Sequence, residues 1–448
     1  MTAPYSAKAF STAVARFHVL IIGGGIGGLC LAQGLKKAGL SVTVYERDRS
    51  LTDRVQGYRV HINPAGSRAL HACLPPHLFD IFDRTCGKPS NAVRFMTEQM
   101  KVLLALDGSL IKQHDPVAQH RSVSRIMLRR VLLAGLDDVV HLGKTFARYE
   151  ERADGRVVAH FEDGSSAEGD VLVAADGGGS RVRRQFLPQA ERIDTGVVGI
   201  AGKVFLDDGG RSRLAPVLVD GLTIVAAKGG LGLFAALQEL GVGTRSQIDD
   251  LGGAVTPTEA GNLFDDSRSY LMWALSGRRA TLGLGDDAER LGSAMLAAVA
   301  ARAMAKWSPG FRNLVDLSDP TTISCLPIRT SKPAAPWPTG RITLLGDAIH
   351  SMTPYRGIGA NVALKDAVRL RDALVAVDRG AQPLLEAIGV YEAGMRDYGF
   401  TAVRNSLAAM HQVTSQGPAA MAVSRTMLRV IDRLPPLKRK MARGMGED

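Results

Sequence analysis

The 448-residue sequence predicts an α/β protein in which a Rossmann-like domain carries an inserted, mostly antiparallel β-sheet domain and ends in C-terminal helices. Three observations predict this architecture. A strand–helix–strand unit begins near residue 17. Strand-like segments dominate from about Asp194 to Ile323, which is typical of an antiparallel sheet. After a buried strand at 340–347, the apolar spacing becomes helical and stays so to the end.

The first unit is a βαβ element of about thirty residues. The run FHVLIIG at 17–23 is continuously apolar, as expected of a strand buried on both faces of a parallel sheet. From Ile26 the apolar residues follow helical spacing, and Gly39 is placed to end that helix. SVTVYER at 41–47 is the next predicted strand.

The middle of the chain mixes helices and strands. SVSRIMLRRVLLAGL at 122–136 predicts a helix, and residues 157–176 predict a hairpin with an Asp-Gly turn followed by a buried strand. SRVRRQFL at 180–187 predicts the start of another helix. The segments VVGIAGKVFL at 197–206 and SYLMWAL at 269–275 are among the strands of the second domain.

These elements predict a partition into three regions. The dinucleotide-binding domain takes residues 17–80, 111–190 and 326–385, the substrate domain takes 81–110 and 191–325, and a C-terminal helical region takes 386–448.

Composition and charge exclude several classes of protein. Apolar residues make up 46% of the chain, but no uninterrupted apolar run reaches the roughly 18 residues of a membrane span. The first sixteen residues also lack the apolar block of a secretion signal, so we expect a cytoplasmic protein, monomeric or homodimeric, without stable membrane association. The net charge of +11 is spread along the chain and aromatics are only 5%, which weakens a nucleic-acid interpretation. The four scattered cysteines do not suggest a metal site.

The first chemical motif is Gly23-x-Gly25-x-x-Gly28, set between the first strand and its helix. The glycines permit a tight turn and let backbone N–H groups and the helix N-terminus approach a pyrophosphate. Glu46 at the end of the following strand is placed to bind a ribose hydroxyl. In this context the motif predicts dinucleotide binding, but it does not separate NAD from FAD.

The second motif is the stretch VLVAADGGGSRVRR. A buried strand delivers Asp176 at its carboxyl end, where ligands gather in open α/β sheets, and Gly177 to Gly179 leave the backbone uncovered. The same residues also fit a plain strand-to-helix turn with Ser180 as its N-cap. Both interpretations stay open for this motif alone.

The third motif is the stretch LLGDAIHSMTPYRGIGAN. A strand ends at Asp347, whose carboxylate can accept a hydrogen bond from a sugar or sugar-alcohol hydroxyl. Gly357, Gly359 and Ala360 then bring bare backbone to the N-terminus of a helix that begins near Asn361. The partial positive charge of that helix end favours anions, including the negative edge of a reduced flavin.

The ordered triple of GxGxxG, DGxxSxVR and GD closely resembles the group A flavoprotein monooxygenases, the para-hydroxybenzoate hydroxylase type. The resemblance spans roughly 17–374. It implies an FAD-binding domain in which Asp347 contacts FAD, Asp176 is linked to both FAD and NAD(P)H, and Arg125, in a V-x-R-x-x-L pattern, contacts the cofactor. It also implies that Arg47 lies on the adenosine side. The full set of candidate cofactor-binding residues is Gly23, Gly25, Ile26, Gly27, Gly28, Glu46, Arg47, Gly57, Arg125, Asp176, Gly177, Asp347, Pro354, Gly357, Gly359, Ala360 and Asn361.

The third motif departs from the family pattern at Thr353, Arg356 and Ile358, while Pro354 is kept. Arg356 could shift substrate choice or flavin mobility, but a solvent-directed side chain is the favoured interpretation. His350 could act as a general base, yet local packing or hydrogen bonding is favoured for it.

No catalytic side chain is assigned, because the flavin would perform the chemistry. Arg356, His61 and Tyr58 are the weak candidates near the pocket.

The resemblance implies a monooxygenase that uses FAD, NADPH or NADH, and O2. Hydride would reduce the flavin, and a flavin C4a-hydroperoxide would pass one oxygen to the substrate. The Leu-, Ala-, Val- and Gly-rich strands of the second domain suggest an apolar aromatic or polyketide-like small molecule of secondary metabolism, although core packing explains the same residues. Two alternatives stay open: an FAD-dependent reductase or dehydrogenase without oxygen insertion, and a non-catalytic flavoprotein.

Overall fold

The computed structural model describes residues 17–50, 58–110, 115–207, 209–240, 268–415 and 417–447, so the candidate Gly57 lies outside the described residues. The strands are β1 (His18–Ile22), β2 (Ser41–Tyr45), β3 (Arg59–Ile62), β4 (Ala92–Met96), β5 (Val102–Asp107), β6 (Arg121–Ser124), β7 (Val140–His141), β8 (Phe146–Glu151), β9 (Val157–Phe161), β10 (Ser166–Gly169), β11 (Val171–Ala174), β12 (Arg192–Phe205), β13 (Leu222–Ala227), β14 (Leu231–Gln238), β15 (Tyr270–Arg278), β16 (Ser324–Ser331) and β17 (Ile342–Leu344). The helices are α1 (Ile26–Lys37), α2 (Pro64–Cys73), α3 (Pro76–Thr85), α4 (Arg125–Leu133), α5 (Arg181–Phe186), α6 (Gly210–Arg213), α7 (Arg279–Leu282), α8 (Ser293–Ala303), α9 (Pro309–Asp316), α10 (Asp347–His350), α11 (Gly359–Asp378), α12 (Leu384–Thr414), α13 (Pro418–Arg433) and α14 (Pro435–Glu447).

A five-stranded parallel sheet in the order β17-β11-β1-β2-β7 forms the centre of the first domain. Its β1 strand is almost fully buried, as its continuous apolar run predicts, and α1 follows it directly. The predicted βαβ unit is therefore confirmed. The carboxyl ends of β1, β2, β11 and β17 meet at one edge of this sheet, which brings the three predicted motifs to the same place.

A seven-stranded sheet in the order β16-β12-β15-β14-β13-β4-β5 forms the second domain, and only the β13–β4 pair is parallel. The mostly antiparallel insertion is thus confirmed. One face buries Leu271, Trp273 and Leu275 in a core shared with α8 and α9. Strand alternation directs Tyr270 and Met272 to the opposite face, where Tyr58 packs against them. The predicted boundary between residues 325 and 326 falls inside β16; the other domain limits stay predictions.

One element differs from its prediction. Ser122–Ser124, expected at the start of a helix, lie in strand β6, which pairs antiparallel with β3. Helix α4 begins only after Ser124, whose hydroxyl accepts a hydrogen bond from the Met127 amide and caps the helix.

The C-terminal region is helical through α12, α13 and α14, as predicted. None of the helices in the described ranges is long and apolar enough to cross a membrane.

Candidate active site

In the glycine loop after β1, some glycines leave no room for a side chain, whereas one glycine faces open space. Gly23 has a φ of +112°, and a Cβ there would overlap the Ala175 carbonyl oxygen. A Cβ at Gly28 would overlap the Gly23 carbonyl oxygen, and one at Gly27 would approach Leu345 to 2.7 Å. A Cβ at Gly25, in contrast, would meet none of the described atoms within 4 Å.

Gly25 is also the N-cap residue of α1, where no side chain of the described residues caps the helix. The first N–H groups of α1 therefore face an uncovered space beside the carboxyl edge of the sheet. Such a helix end binds anions through its free N–H groups and its partial positive charge. Ile26 is the first helical residue and contributes one of these amides.

Glu46 follows β2 and is buried, with both carboxylate oxygens in use. Its Oε2 accepts a hydrogen bond from the Gly24 amide at 2.6 Å, and its Oε1 accepts one from the Asp48 amide at 2.9 Å. Arg129 Nε donates to the Gly24 carbonyl oxygen at 3.0 Å, and its guanidinium lies 3.9 Å from Glu46. Glu46 thus fixes the glycine loop, whereas Arg47 is exposed.

Arg129 is a site residue that sequence reasoning missed. It lies one turn after Arg125 on α4, on the same side of the helix, and that spacing was the available signal. Arg125 itself is the first residue of α4 and its side chain is exposed, while its backbone amide donates to the Tyr58 carbonyl oxygen at 3.2 Å.

Asp176 follows β11 and keeps one carboxylate oxygen uncommitted. Its Oδ2 accepts a hydrogen bond from the Arg181 amide at 2.8 Å, but Oδ1 is buried without a partner among the described residues. Burial raises the pKa of Asp176 above its ordinary value, although hydrogen bonds from Ser180 and nearby amides oppose the shift. Ser180 also caps α5, because its hydroxyl oxygen accepts a hydrogen bond from the Arg183 amide at 2.9 Å. The interpretation of this motif as a strand-to-helix turn with Ser180 as its N-cap is therefore confirmed. A strand-to-helix turn does not explain why Asp176 Oδ1 is buried without a partner among the described residues, or why the Gly177 backbone is open.

Arg183 joins the second motif to the third. Its guanidinium is buried and donates to the Ala348 carbonyl oxygen at 2.7 Å and to the Gly178 carbonyl oxygen at 3.2 Å. The guanidinium of Arg192 lies against Gly178 as well. Burial lowers the pKa of Arg192, and the negative charge of Asp347 opposes that shift. The Asp176 loop and the Asp347 turn therefore form one continuous surface.

Asp347 begins the short helix α10 directly after Gly346, whose φ is +61°. The Asp347 side chain is exposed, in contrast to the two buried residues before it. A carboxylate held at the end of β17 in this way can accept hydrogen bonds from a ligand without first losing a protein partner.

His350 has a structural place. It is 1% exposed, its Nε2 lies 2.6 Å from Asp366 Oδ2, and Tyr398 donates its hydroxyl to Asp366 Oδ1 at 2.6 Å. Burial lowers the pKa of His350, but the charge and hydrogen bond of Asp366 outweigh it, so the net shift is upward. A histidine enclosed in this way cannot reach a substrate, and the local-packing interpretation is confirmed.

The stretch from Pro354 to Asn361 presents backbone more than side chains. Residues Pro354–Arg356 form a 3₁₀ turn, and Gly357 follows with a φ of +64°. A Cβ at Gly357 would meet none of the described atoms within 4 Å. Helix α11 then begins at Gly359, and none of the described side chains caps it. The N–H groups of Gly359 and Ala360 are therefore left for a ligand.

Two side chains of this stretch have contacts within the chain. Asn361 is buried, accepts a hydrogen bond from the Asn63 amide at 2.9 Å and donates to the His61 carbonyl oxygen at 2.9 Å, so its amide group ties α11 to the β3–α2 connection. Arg356 is half-buried and has a contact within the chain. The solvent-directed interpretation of Arg356 stays a prediction.

The sheet domain meets this turn through tyrosine hydroxyls. Tyr355 donates to Ser276 Oγ of β15 at 2.8 Å, and Tyr58 lies 2.8 Å from Ser324 Oγ of β16. Between these links the sheet face carries half-buried apolar residues, and a Cβ at Gly199 would meet none of the described atoms within 4 Å. The half-buried residues of this face include Phe234, Ala274 and Leu326. An apolar surface that is left partly uncovered beside polar turns is typical of a small-molecule site.

FAD fits this arrangement. An uncapped helix end, open glycine backbone, an exposed carboxylate at Asp347 and an orphaned carboxylate oxygen at Asp176 lie around one edge of the parallel sheet. These are donors and acceptors suited to a pyrophosphate, a sugar-alcohol chain and a heterocycle edge.

Comparison with known proteins indicates the same cofactor. A family model described as FAD binding domain matches residues 313–406, and one described as NAD(P)-binding Rossmann-like domain matches residues 21–85. The chain is 31% identical over 389 residues to the FAD-dependent urate hydroxylase of Klebsiella pneumoniae subsp. pneumoniae, a match that covers 84% of each protein. The structure resembles that of Klebsiella pneumoniae HpxO complexed with FAD and uric acid, with a TM-score of 0.75, 26% identity and 96% of each chain covered.

A further relative is longer. The dual O-methyltransferase/FAD-dependent monooxygenase elcB of Phaeosphaeria nodorum is 32% identical over 373 residues, which cover 79% of this chain but only 39% of that protein. The chain thus spans less than half the length of the relatives of this dual type.

The fold and the site define a flavoprotein with a Rossmann-like domain and FAD as its cofactor. The chain belongs to the FAD-dependent monooxygenases of the para-hydroxybenzoate hydroxylase type, which confirms the family resemblance.

Proposed function

We propose that this chain is a monooxygenase that uses FAD, NAD(P)H and O2 to oxygenate an apolar aromatic or polyketide-like small molecule. One observation carries the proposal: the cofactor turn and the half-buried apolar sheet face are joined directly, through the hydrogen bond from Tyr355 to Ser276. A ring bound against the Gly357 backbone would therefore lie next to a compound held on the sheet.

The chain's own residues would hold the cofactor through fixed backbone. The α1 end at Gly25 would receive the pyrophosphate, and Asp347 would accept from the sugar-alcohol chain. The α11 end at Gly359 would stabilise negative charge at the ring edge, because its N–H groups are uncapped. Bound FAD supplies the redox chemistry, taking hydride from NAD(P)H and activating dioxygen.

The remaining task of the protein is to position the substrate and exclude water. The sheet face offers apolar contacts at Phe234 and Leu326, and the tyrosine hydroxyls at its border are already hydrogen-bonded. A site with few unpaired polar groups favours an apolar substrate and protects a reactive oxidant from water. The names of the FAD-dependent urate hydroxylase and of the FAD-dependent monooxygenase thnD of Trichoderma harzianum support oxygenation of a small molecule.

The test measures how much reductant and oxygen are consumed and how much oxygenated product is formed. FAD-loaded protein is given NADPH or NADH, a panel of naphthols and related polycyclic phenols, and ¹⁸O2; we expect substrate-dependent O2 uptake and a product that carries one ¹⁸O atom. Catalase controls identify hydrogen peroxide released without oxygen insertion. Turnover that continues without oxygen would contradict the proposal and favour a reductase or dehydrogenase. Failure of NAD(P)H to reduce the flavin would favour the non-catalytic flavoprotein.

A further inference from the structure

Helix α13 is held by its inner side on β5, the edge strand of the seven-stranded sheet. Asp432 Oδ1 accepts a hydrogen bond from the Ala105 amide of that strand at 3.1 Å. Arg425 forms an ion pair with Glu98 and donates to the Ala226 carbonyl oxygen at 3.1 Å. These contacts cover backbone groups that an edge strand would otherwise expose, and they fix the orientation of the helix.

Apolar packing and a second ion pair extend this attachment. Leu428 and Ile431 of α13 pack against Leu104 and Leu106 of β5. Lys438 of the following helix, α14, lies 2.9 Å from Asp432, so α14 is tied to the same anchor. The outer side of the two helices is therefore a surface in a defined position.

The outer side of α13 carries a row of exposed apolar side chains. Val423, Met427, Val430 and Leu434 follow the spacing i, i+4, i+7 and i+11, which places them on one narrow stripe of the helix. They are 68%, 62%, 46% and 44% exposed. We call these four residues the apolar row. A contiguous exposed apolar stripe on a protein surface marks an interaction site, whereas single exposed apolar residues need no explanation.

The charges on the same outer side are positive. Arg433 lies one turn after Val430, and Arg429 lies one turn before Arg433, so both arginines flank the apolar row. Between residues 418 and 442 the chain has one acidic residue, Asp432, and this carboxylate is turned inward to β5. The exposed basic residues of the two helices include Arg429, Arg433, Arg439 and Lys440.

This combination selects among possible partners. A nucleic acid would pair with the arginines but would leave the apolar row in water. A second copy of this surface would cover the row, but it offers no carboxylate to Arg429 and Arg433, and like charges brought together are unfavourable. An anionic lipid surface satisfies both parts, because acyl chains accept the apolar side chains while the headgroups attract the arginines.

We propose that the outer side of α13 and α14 binds reversibly to an anionic lipid surface. The helices would lie in the plane of the interface, with the apolar row at the boundary between headgroups and acyl chains and with Arg429 and Arg433 at the level of the headgroups. The inference does not depend on the proposed function, and the measurements below need no turnover.

The first measurement is cosedimentation of the FAD-loaded full chain with vesicles. Vesicles of phosphatidylcholine and phosphatidylglycerol are compared with vesicles of phosphatidylcholine alone. We expect binding to the anionic vesicles to be about tenfold tighter or more, and added salt should weaken it by screening. Equal affinity for the two kinds of vesicle, or no binding to the anionic ones, would overturn the proposal.

The apolar row is tested with matched double variants. Met427→Gln with Val430→Gln should lower the affinity for anionic vesicles about tenfold or more, because two apolar side chains no longer leave water. The control pair, Met295→Gln with Val390→Gln, changes exposed apolar residues on α8 and α12 and should bind as the wild type does. Unchanged binding in the Met427 and Val430 variant would show general attraction by the net positive charge and would contradict the inference.

The flanking cations are tested in the same way. Arg429→Gln with Arg433→Gln should also lower the affinity about tenfold or more, since each removed charge no longer attracts anionic headgroups. Lys306→Gln with Arg312→Gln removes two exposed charges elsewhere and should have little effect. If the two pairs weaken binding equally, the position of the charges does not matter and the surface is not the binding site.

Two measurements without lipid check the other occupants of the apolar row. Sedimentation velocity should give the same mass for wild type and for the Met427 and Val430 variant; a larger wild-type species that the variant loses would identify a second copy as the partner and overturn the proposal. The melting temperatures should also agree, because both side chains are exposed. A lower melting temperature in the variant would show that another part of the chain covers the row, which would refute lipid docking.

Discussion

His350 Nε2 lies 2.6 Å from Asp366 Oδ2 in the interior, and the same Asp366 oxygen accepts a hydrogen bond from the Gly346 amide at 2.7 Å. Both side chains are at most 1% exposed. One carboxylate of α11 therefore holds the turn that carries Asp347 and also pairs with the buried ring of His350. His350, which looks catalytic in the sequence, thus helps to hold the turn that carries Asp347, the residue that we expect to contact the cofactor.

Asp366→Asn should destabilise the fold. The substitution leaves His350 without its charged partner, and breaking a buried pair in this way costs about 3–5 kcal/mol. Urea unfolding of the apoprotein at pH 6 measures the loss. Asp378→Asn, an exposed position at the end of the same helix, is the control and should change the free energy of unfolding by less than about 0.5 kcal/mol.

The same pair predicts a pH dependence. The pKa of His350 is raised in the folded state above its ordinary value of 6.5. The stabilisation is therefore complete below about pH 6.5 and is lost as the pH rises through the raised folded-state pKa. The difference in unfolding free energy between wild type and Asp366→Asn should shrink from pH 6 to pH 9. A difference that grows over this range would show that the imidazolium is not the partner that matters.

Asp347→Ala should weaken FAD binding without unfolding the protein. The carboxylate is exposed, so its removal disturbs little packing, but a hydrogen bond from a ligand hydroxyl to a charged group is lost. Such a bond contributes about 1.5–3 kcal/mol, or roughly 10- to 150-fold in the dissociation constant. Fluorescence titration of apoprotein with FAD measures the change, and Asp378→Ala controls for the lost charge. Unchanged flavin content in the purified Asp347→Ala variant would refute the assignment.

The glycine loop allows a matched pair of substitutions. Gly25→Ser keeps a good N-cap residue and adds atoms only to open space, so stability should hold while FAD affinity falls. Gly28→Ser would overlap the Gly23 carbonyl oxygen and should cost about 1–3 kcal/mol of stability. Apoprotein unfolding and FAD titration of both variants check the contrast. If Gly25→Ser binds FAD normally, the open position is not the pyrophosphate side of the site.

Much of the fold follows from periodicity, because strands buried in a parallel sheet and amphipathic helices have distinct apolar patterns. The βαβ unit, the antiparallel insertion and the C-terminal helices are therefore predictable. Strand β6 is not, because Ser122–Ser124 pair with a strand about sixty residues earlier, and the helical spacing that follows conceals the N-cap at Ser124. Non-local pairing of a four-residue strand leaves little local signal.

The residues of the candidate site also differ in whether the sequence predicts them. Asp176 and Asp347 are predictable, because acidic residues at the carboxyl ends of parallel strands gather at one edge. Asp366 is not, because a helix pattern does not tell which of its acids turns inward to a histidine. The role of Asp366 depends on the side chains packed around it, and that information exists only in three dimensions.

Gly66→Ala should damage both the fold and the cofactor site, although Gly66 lies in α2 and outside the three glycine-rich motifs. A Cβ at Gly66 would overlap Asn361 Oδ1, the atom that accepts from the Asn63 amide. Displacing Asn361 would break its tie to the β3–α2 connection and shift the start of α11. We expect a loss of about 1–3 kcal/mol in stability from overpacking, together with weaker FAD binding. Gly394→Ala, within α12 and facing no described atom within 4 Å, should instead be neutral or stabilising by up to about 1 kcal/mol. If both variants behave alike in unfolding and FAD titration, the Asn361 tie does not position the helix end.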